Sequence, residues 1–247
     1  MRTTIFLTLF FVVTALHAQY EDRNSIDPKA TEIYEPKAPK ITPGEAAGAA
    51  PSDAIVLFNG KDFSEWVGKD GASPKWEIKD GVMTVVKGTG DIKTKRTFGD
   101  VQLHIEWRSP SVIVGEGQGR GNSGIFLQER YELQVLDSYE SQTYSNGQAG
   151  SIYKQHIPLV NATKKPGEWQ TYDVIYTAPR FSNNGRLVSP AYITVLHNGV
   201  LIQNHSQIWG PTEYKGLPVY MSHDKGSIIL QDHSNPVSYR NIWIREL

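Results

Sequence analysis

The 247-residue chain contains no cysteine, and that one absence removes several chemistries together. No disulfide framework, thiolate zinc site, cysteine nucleophile or lipid-bearing N-terminal cysteine can be built from it. A long apolar run is missing as well: residues 5–16 are too few to span a bilayer as a helix, and no later segment is apolar for long enough. Excess charge of one sign is absent, with 25 Lys plus Arg against 26 Asp plus Glu. No global field therefore draws the chain to nucleic acid or an acidic membrane, and neither nucleic-acid binding nor membrane insertion is expected. There is no Gly-x-Ser-x-Gly elbow, so serine-hydrolase chemistry has no support. The glycine-rich residues 115–124 lead into Ile125-Phe126-Leu127 rather than opening a helix, and no Gly-Lys-Ser/Thr follows. Phosphate-loop and dinucleotide readings fail on that context, and NAD is not expected.

What is present begins with Arg2, an apolar run and His17-Ala18-Gln19, the charged start, short apolar region and small cleavage residue of an export signal. Residues 1–18 are expected to be removed, leaving a periplasmic or secreted protein. Residues 19–52 carry Pro28, Pro36, Pro39, Pro43 and Pro51 and a small-residue stretch without apolar period, so a disordered tether is expected there. Residues 53–247 are of a size that one sandwich or barrel fills as a single domain.

In that domain the period is two. Val101, Leu103, Ile105 and Trp107 alternate with Gln102, His104, Glu106 and Arg108, the pattern of a strand with one buried face. Another strand is expected over residues 171–176. Asp80-Gly81 and Asn198-Gly199 each sit between strand-like runs, as two-residue hairpin turns require. No window carries a helical period. Short strands joined by turns predict an all-β, antiparallel sandwich. Six Trp and twelve Tyr supply rings with a stackable face and a polar handle, suited both to a β-rich core and to a sugar site.

Three polar clusters are candidates for chemistry. Glu132 and Gln134 alternate along Tyr131-Glu132-Leu133-Gln134-Val135 and so share a face. Asn122 and Ser123 end a glycine-rich loop able to approach a ligand closely. Gln231-Asp232-His233 lies near the C-terminus, and Ser222-His223-Asp224 also pairs a histidine with a carboxylate. Adjacent strand residues point to opposite faces, so neither His–Asp pair chelates a metal by itself. No cofactor is expected, and a divalent ion stays an open alternative.

Taken in order, five motifs resemble one family. They are Leu57-Phe58-Asn59-Gly60-Lys61-Asp62-Phe63 with Trp66, Gly121-Asn122-Ser123-Gly124-Ile125, and the strand from Tyr131 to Asp137. Pro166-Gly167-Glu168-Trp169-Gln170-Thr171-Tyr172 comes next, then Leu230-Gln231-Asp232-His233 running on to the ending at Leu247. The chain is similar here to secreted 3-keto-disaccharide hydrolases, also described as 3-keto-glucoside 1,2-lyases and 3-keto-2-hydroxyglucal hydratases. The glycine usual after the histidine is Ser234 here, which implies a different backbone beside His233.

The resemblance implies a concanavalin-A-like jelly roll with a sugar-sized groove, and a 3-keto-glycoside substrate supplied by a separate oxidoreductase. A ketone at C3 acidifies the C2 proton, so a base can remove it, the C1 aglycone can leave, and water can add to the resulting 2-hydroxyglucal. Glu132 is the candidate base, His233 the candidate proton donor, and Asp137 a further catalytic carboxylate if a bulge turns it to the same face. Asn122, Ser123, Gln134 and Gln231 are candidate substrate-binding groups, and Arg240 could polarise the ketone. Arg240 falls in register with Ile242 and Ile244, however, a parity that argues for a structural role unless the strand is irregular. Two alternatives compete. One is a laminarinase-like glycoside hydrolase, whose carboxylate strand Glu132, Gln134 and Asp137 resemble with the middle acid replaced. The other is a carbohydrate-binding module without catalysis.

Overall fold

The computed structural model describes residues 26–68 and 70–247; the expected export signal and the start of the tether lie outside the described residues. The chain divides into two compact units, Met1–Lys40 and Ile41–Leu247. In the described part of the first, one 3₁₀ turn spans Pro28–Thr31, capped by the Asp27 carboxylate.

Fifteen strands build the second unit: β1 (Ile55–Phe58), β2 (Trp66–Gly68), β3 (Glu77–Lys79), β4 (Val82–Thr84), β5 (Ile92–Thr94), β6 (Val101–Arg108), β7 (Ser123–Leu127), β8 (Tyr131–Val135), β9 (Gln170–Thr177), β10 (Arg180–Phe181), β11 (Leu187–Ser189), β12 (Tyr192–His197), β13 (Val200–Gln207), β14 (Ile229–Leu230) and β15 (Ser238–Glu246). The larger sheet runs β13-β12-β9-β6-β15-β4-β3, with β1 also on β15; the smaller runs β2-β5-β14-β7-β8. Neighbouring strands pair antiparallel, giving the sandwich expected from the period of two and the jelly roll that the family resemblance implies. No helix among the described residues is long and apolar enough to cross a membrane.

Both hairpin turns form where the sequence places them. Asp80 and Gly81 join β3 to β4 with φ of 51° and 77°, and Asn198 and Gly199 join β12 to β13 with 53° and 79°, the doubly positive φ of a type I′ turn. Between the sheets, Leu103, Ile105 and Trp107 of β6 meet Ile125, Leu133 and Val135 of the smaller sheet in one continuous core. Burial of this apolar surface is the main driving force for folding. Two of the buried rings have their polar handles satisfied by backbone carbonyls: Trp66 Nε1–H donates to the Leu57 carbonyl at 2.7 Å, and the Tyr172 hydroxyl to the Gln134 carbonyl at 2.9 Å, whereas Trp107 Nε1 is buried without a partner.

The compact unit starts earlier than Asp53 because residues 41–52 are fastened to the larger sheet. The Gly48 carbonyl accepts from Asn241 Nδ2 at 2.9 Å and from Trp243 Nε1 at 2.8 Å. This cover also explains why His104, which the alternation places on a solvent face, is only 2% exposed. Its Nδ1 is 2.6 Å from Asp173, and its ring stacks on Trp243.

Candidate active site

The smaller sheet positions the site on its outer face. In the β7–β8 register Gly124 stands opposite Gln134, and Phe126 opposite Glu132. One face of the pair therefore carries Glu132, Gln134, Phe126 and the gap at Gly124, while Ile125, Leu133 and Val135 enter the core. Every residue of β8 is buried, because loops close over the outer face. Together they enclose a cavity of about 570 Å³ bordered by Asn122, Gln134, Gln231, His233 and three tyrosines, with Glu132 as its one carboxylate among the described residues.

The Glu132 carboxylate accepts no hydrogen bond from any described group, although its backbone N–H donates to Thr212 Oγ1 at 3.0 Å. Burial, with the Asp91 charge adding to it, pushes its carboxyl up from 4.5 to about 8. A desolvated carboxylate without donors is a stronger base than one in water. Space for it is left by Gly124, where a β-carbon would fall 2.6 Å from Glu132 Oε1.

Next to it a chain of amides is locked in place. Gln118, in the 3₁₀ turn Gly117–Gly119, accepts from Gln134 Nε2 at 3.0 Å through its side-chain oxygen. Its carbonyl accepts from Asn122 Nδ2 at 2.7 Å. Gln134 Oε1 is left buried with no partner, an acceptor for which a ligand hydroxyl is the matching donor.

The segment bearing Gln231 and His233 is tied down by backbone contacts. Gln231 N–H donates to the Gly124 carbonyl at 3.0 Å. Asp232 accepts from Gly90 N–H and Ser234 N–H, and Asn235 Nδ2 donates to the His233 carbonyl at 2.8 Å. Ser234 adopts φ 63°, so the serine keeps the left-handed backbone that a glycine would supply.

Of the eight residues singled out in the sequence, Glu132, Gln134, Asn122, Gln231 and His233 converge on the cavity; three do not. Ser123 faces the inter-sheet core, fully buried, where it donates to the Gln231 carbonyl at 2.6 Å and accepts from the Tyr239 hydroxyl at 2.7 Å. It braces the two sheets and does not line the cavity. Asp137 lies past the end of β8 in a buried ion pair, its Oδ2 2.7 Å from Arg120 Nε, and belongs to a separate small recess. Arg240 sits at a register shift in β15 where Asn241 has φ 45°. The strand is indeed irregular there, but the bulge turns Arg240 onto the far face of the larger sheet, 2.6 Å from Glu106 and stacked over Trp169.

Sequence reasoning missed Gln118, Thr212, Tyr144, Tyr153 and Tyr214, which the fold brings in from separate loops. The Tyr153 N–H donates to the Glu132 carbonyl at 3.1 Å, and its hydroxyl is 2.6 Å from that of Tyr144. Burial, then that hydrogen bond, holds the Tyr153 phenol above its usual range. Among the described residues no three His, Asp or Glu side chains gather as metal ligands.

The comparisons with known proteins agree with this architecture. A candidate glycosyl hydrolase from Parabacteroides distasonis, solved by crystallography, is 55% identical over 90% of this chain and 97% of its own, with a TM-score of 0.86. A second from the same organism shares only the fold, at 23% identity and a TM-score of 0.57 over 79% of this chain and 94% of its own. No curated protein is significantly similar to the chain. The pattern of the 3-keto-alpha-glucoside-1,2-lyase-like domain matches residues 53–245, and the chain belongs to that family.

Proposed function

We propose that this protein is an exported enzyme that cleaves 3-keto-glycosides by β-elimination and then hydrates the product. Family membership makes it a carbohydrate-active enzyme, and the bare, desolvated Glu132 carboxylate in the cavity carries the finer reading. Glu132 takes the C2 proton, the electron pair passes towards the C3 ketone, and the C1–aglycone bond breaks. His233, exposed at the cavity edge, gives its proton to the departing oxygen. Water then adds to C1 while Glu132 returns a proton to C2, so the net change is hydrolysis. Gln134 and Asn122 hold sugar hydroxyls, and their fixed placement lowers the entropy cost of orienting the ring.

The laminarinase-like alternative needs two carboxylates about 5–9 Å apart across the scissile bond. Among the described residues that line the cavity Glu132 is the one carboxylate, and Asp137 is paired with Arg120. The chain has no dinucleotide fingerprint, so oxidation at C3 falls to a separate oxidoreductase. The test is to incubate the protein with an aryl glucoside and with the same compound oxidised at C3. Aglycone release from the oxidised form alone supports the proposal; equal release from both assigns a glycoside hydrolase, and binding of either without turnover assigns a binding module.

A further inference from the structure

We infer that Lys154, with Tyr144 and Tyr214, forms a subsite at the mouth of the cavity that accepts an anionic substituent on the leaving group. The inference rests on the proposed function for the identity of the sugar, and goes beyond it in naming what is attached at C1.

Lys154 Nζ lies 4.1 Å from the centroid of the Tyr214 ring and 5.8 Å from those of Tyr144 and Tyr153, three rings that border the cavity. An ammonium carries three donors. One goes to the Tyr214 carbonyl at 2.6 Å, and no carboxylate pairs with Lys154 among the described residues. It forms no ion pair with Glu132 either, whose carboxyl is raised by burial and by Asp91. The charge is thus held against aromatic faces with donor capacity left over.

The backbone points the same way. Lys154 has φ 59° and its N–H donates to the Asn146 carbonyl at 2.8 Å, so the turn that holds the ammonium at the cavity mouth is pinned.

The cavity has two unlike ends. Gln134 and Asn122 are buried amides, 1% and 3% exposed, suited to the hydroxyls of a sugar ring. Tyr214 and Tyr144 are 70% and 40% exposed, so they meet whatever projects from the cavity, which is the leaving group. Exposed tyrosine faces take a planar or apolar body, and the ammonium beside them takes a carboxylate or sulfate carried by it.

The test measures binding to full-length Glu132→Gln protein, so that no turnover intervenes, by calorimetry with the 3-keto forms of phenyl, 4-carboxyphenyl and 4-(trimethylammonio)phenyl glucoside. The carboxylated ligand should bind roughly threefold to tenfold tighter than the neutral one, the gain of one charge-assisted contact near the surface, and the cationic one weaker. This preference should shrink between about 0.01 M and about 1 M salt, as the screening length falls from ~30 Å to ~3 Å. Adding Lys154→Met should bring the carboxylated and neutral ligands to equal affinity, while Lys154→Arg keeps the preference. Equal affinities in the Lys154 parent, or a preference that salt and Lys154→Met leave intact, would overturn the subsite while the lyase reading stands. Failure of every 3-keto-glucoside to bind would remove both.

Discussion

Glu132 Oε1 occupies the space that a side chain on Gly124 would need, 2.6 Å from where its β-carbon would lie. The two residues lie on paired strands, so the glycine is the partner that lets a buried carboxylate stand free in the cavity. Gly124→Ala should displace the carboxylate by the order of an ångström and lower kcat about 10²-fold, the usual cost of such misplacement. Overpacking should cost ~1–3 kcal/mol, read as a modest drop in Tm. Full activity in Gly124→Ala would show that the position of Glu132 is not critical.

The raised carboxyl sets a pH dependence with a defined sign. Catalysis by the ionised base should make kcat/KM rise with pH and level off above about 8. Stability runs the other way. Because the folded state holds the proton more tightly than the unfolded chain, the contribution of Glu132 is full below 4.5 and is lost as pH rises to about 8. Glu132→Gln, which cannot ionise, should therefore melt higher than wild type at alkaline pH, by roughly 2–4 °C for each ~1 kcal/mol relieved. The difference should close near the ordinary carboxylate range. Equal melting temperatures in alkali would mean that the carboxylate is well solvated.

Asp137 and Arg120 form a buried ion pair, 3% and 12% exposed, and removing one partner strands the other charge. Asp137→Ala should cost about 3–5 kcal/mol, seen as a large fall in Tm. Well below that temperature its kcat should fall far less than that of Glu132→Gln. A loss of turnover as deep as that of Glu132→Gln, with Tm unchanged, would return Asp137 to the chemistry.

The period of two revealed strands such as β6 and the shared face of Glu132 and Gln134, because alternation is a local property of a half-buried strand, and the turn chemistry of Asp80-Gly81 and Asn198-Gly199 marked both hairpins. The period left Arg240 undecided, since a single bulge reverses the facing of every residue on one side of it. Ser123 is misplaced by reading the glycine-rich segment as a loop that delivers polar groups to a ligand; it starts β7 instead, and its side chain sits on the core face because Tyr239 and the Gln231 carbonyl satisfy it there. Gln118, Tyr144, Tyr153 and Tyr214 come from loops, which carry no period, and only the closed fold shows that they meet. The fastening of residues 41–52 was hidden for a related reason: a proline-rich segment reads as a tether unless the acceptor it offers, here the Gly48 carbonyl, is seen to be used.

The central claim is that Glu132 removes the proton at C2. It is tested most directly by timing aglycone release from an aryl 3-keto-glucoside carrying hydrogen or deuterium at C2, with wild-type protein and with Glu132→Gln. The account predicts slower release from the deuterated substrate, and a fall in kcat of about 10²- to 10⁴-fold in the variant with unchanged circular dichroism. Near-full turnover in Glu132→Gln, with no isotope effect in wild type, would contradict it.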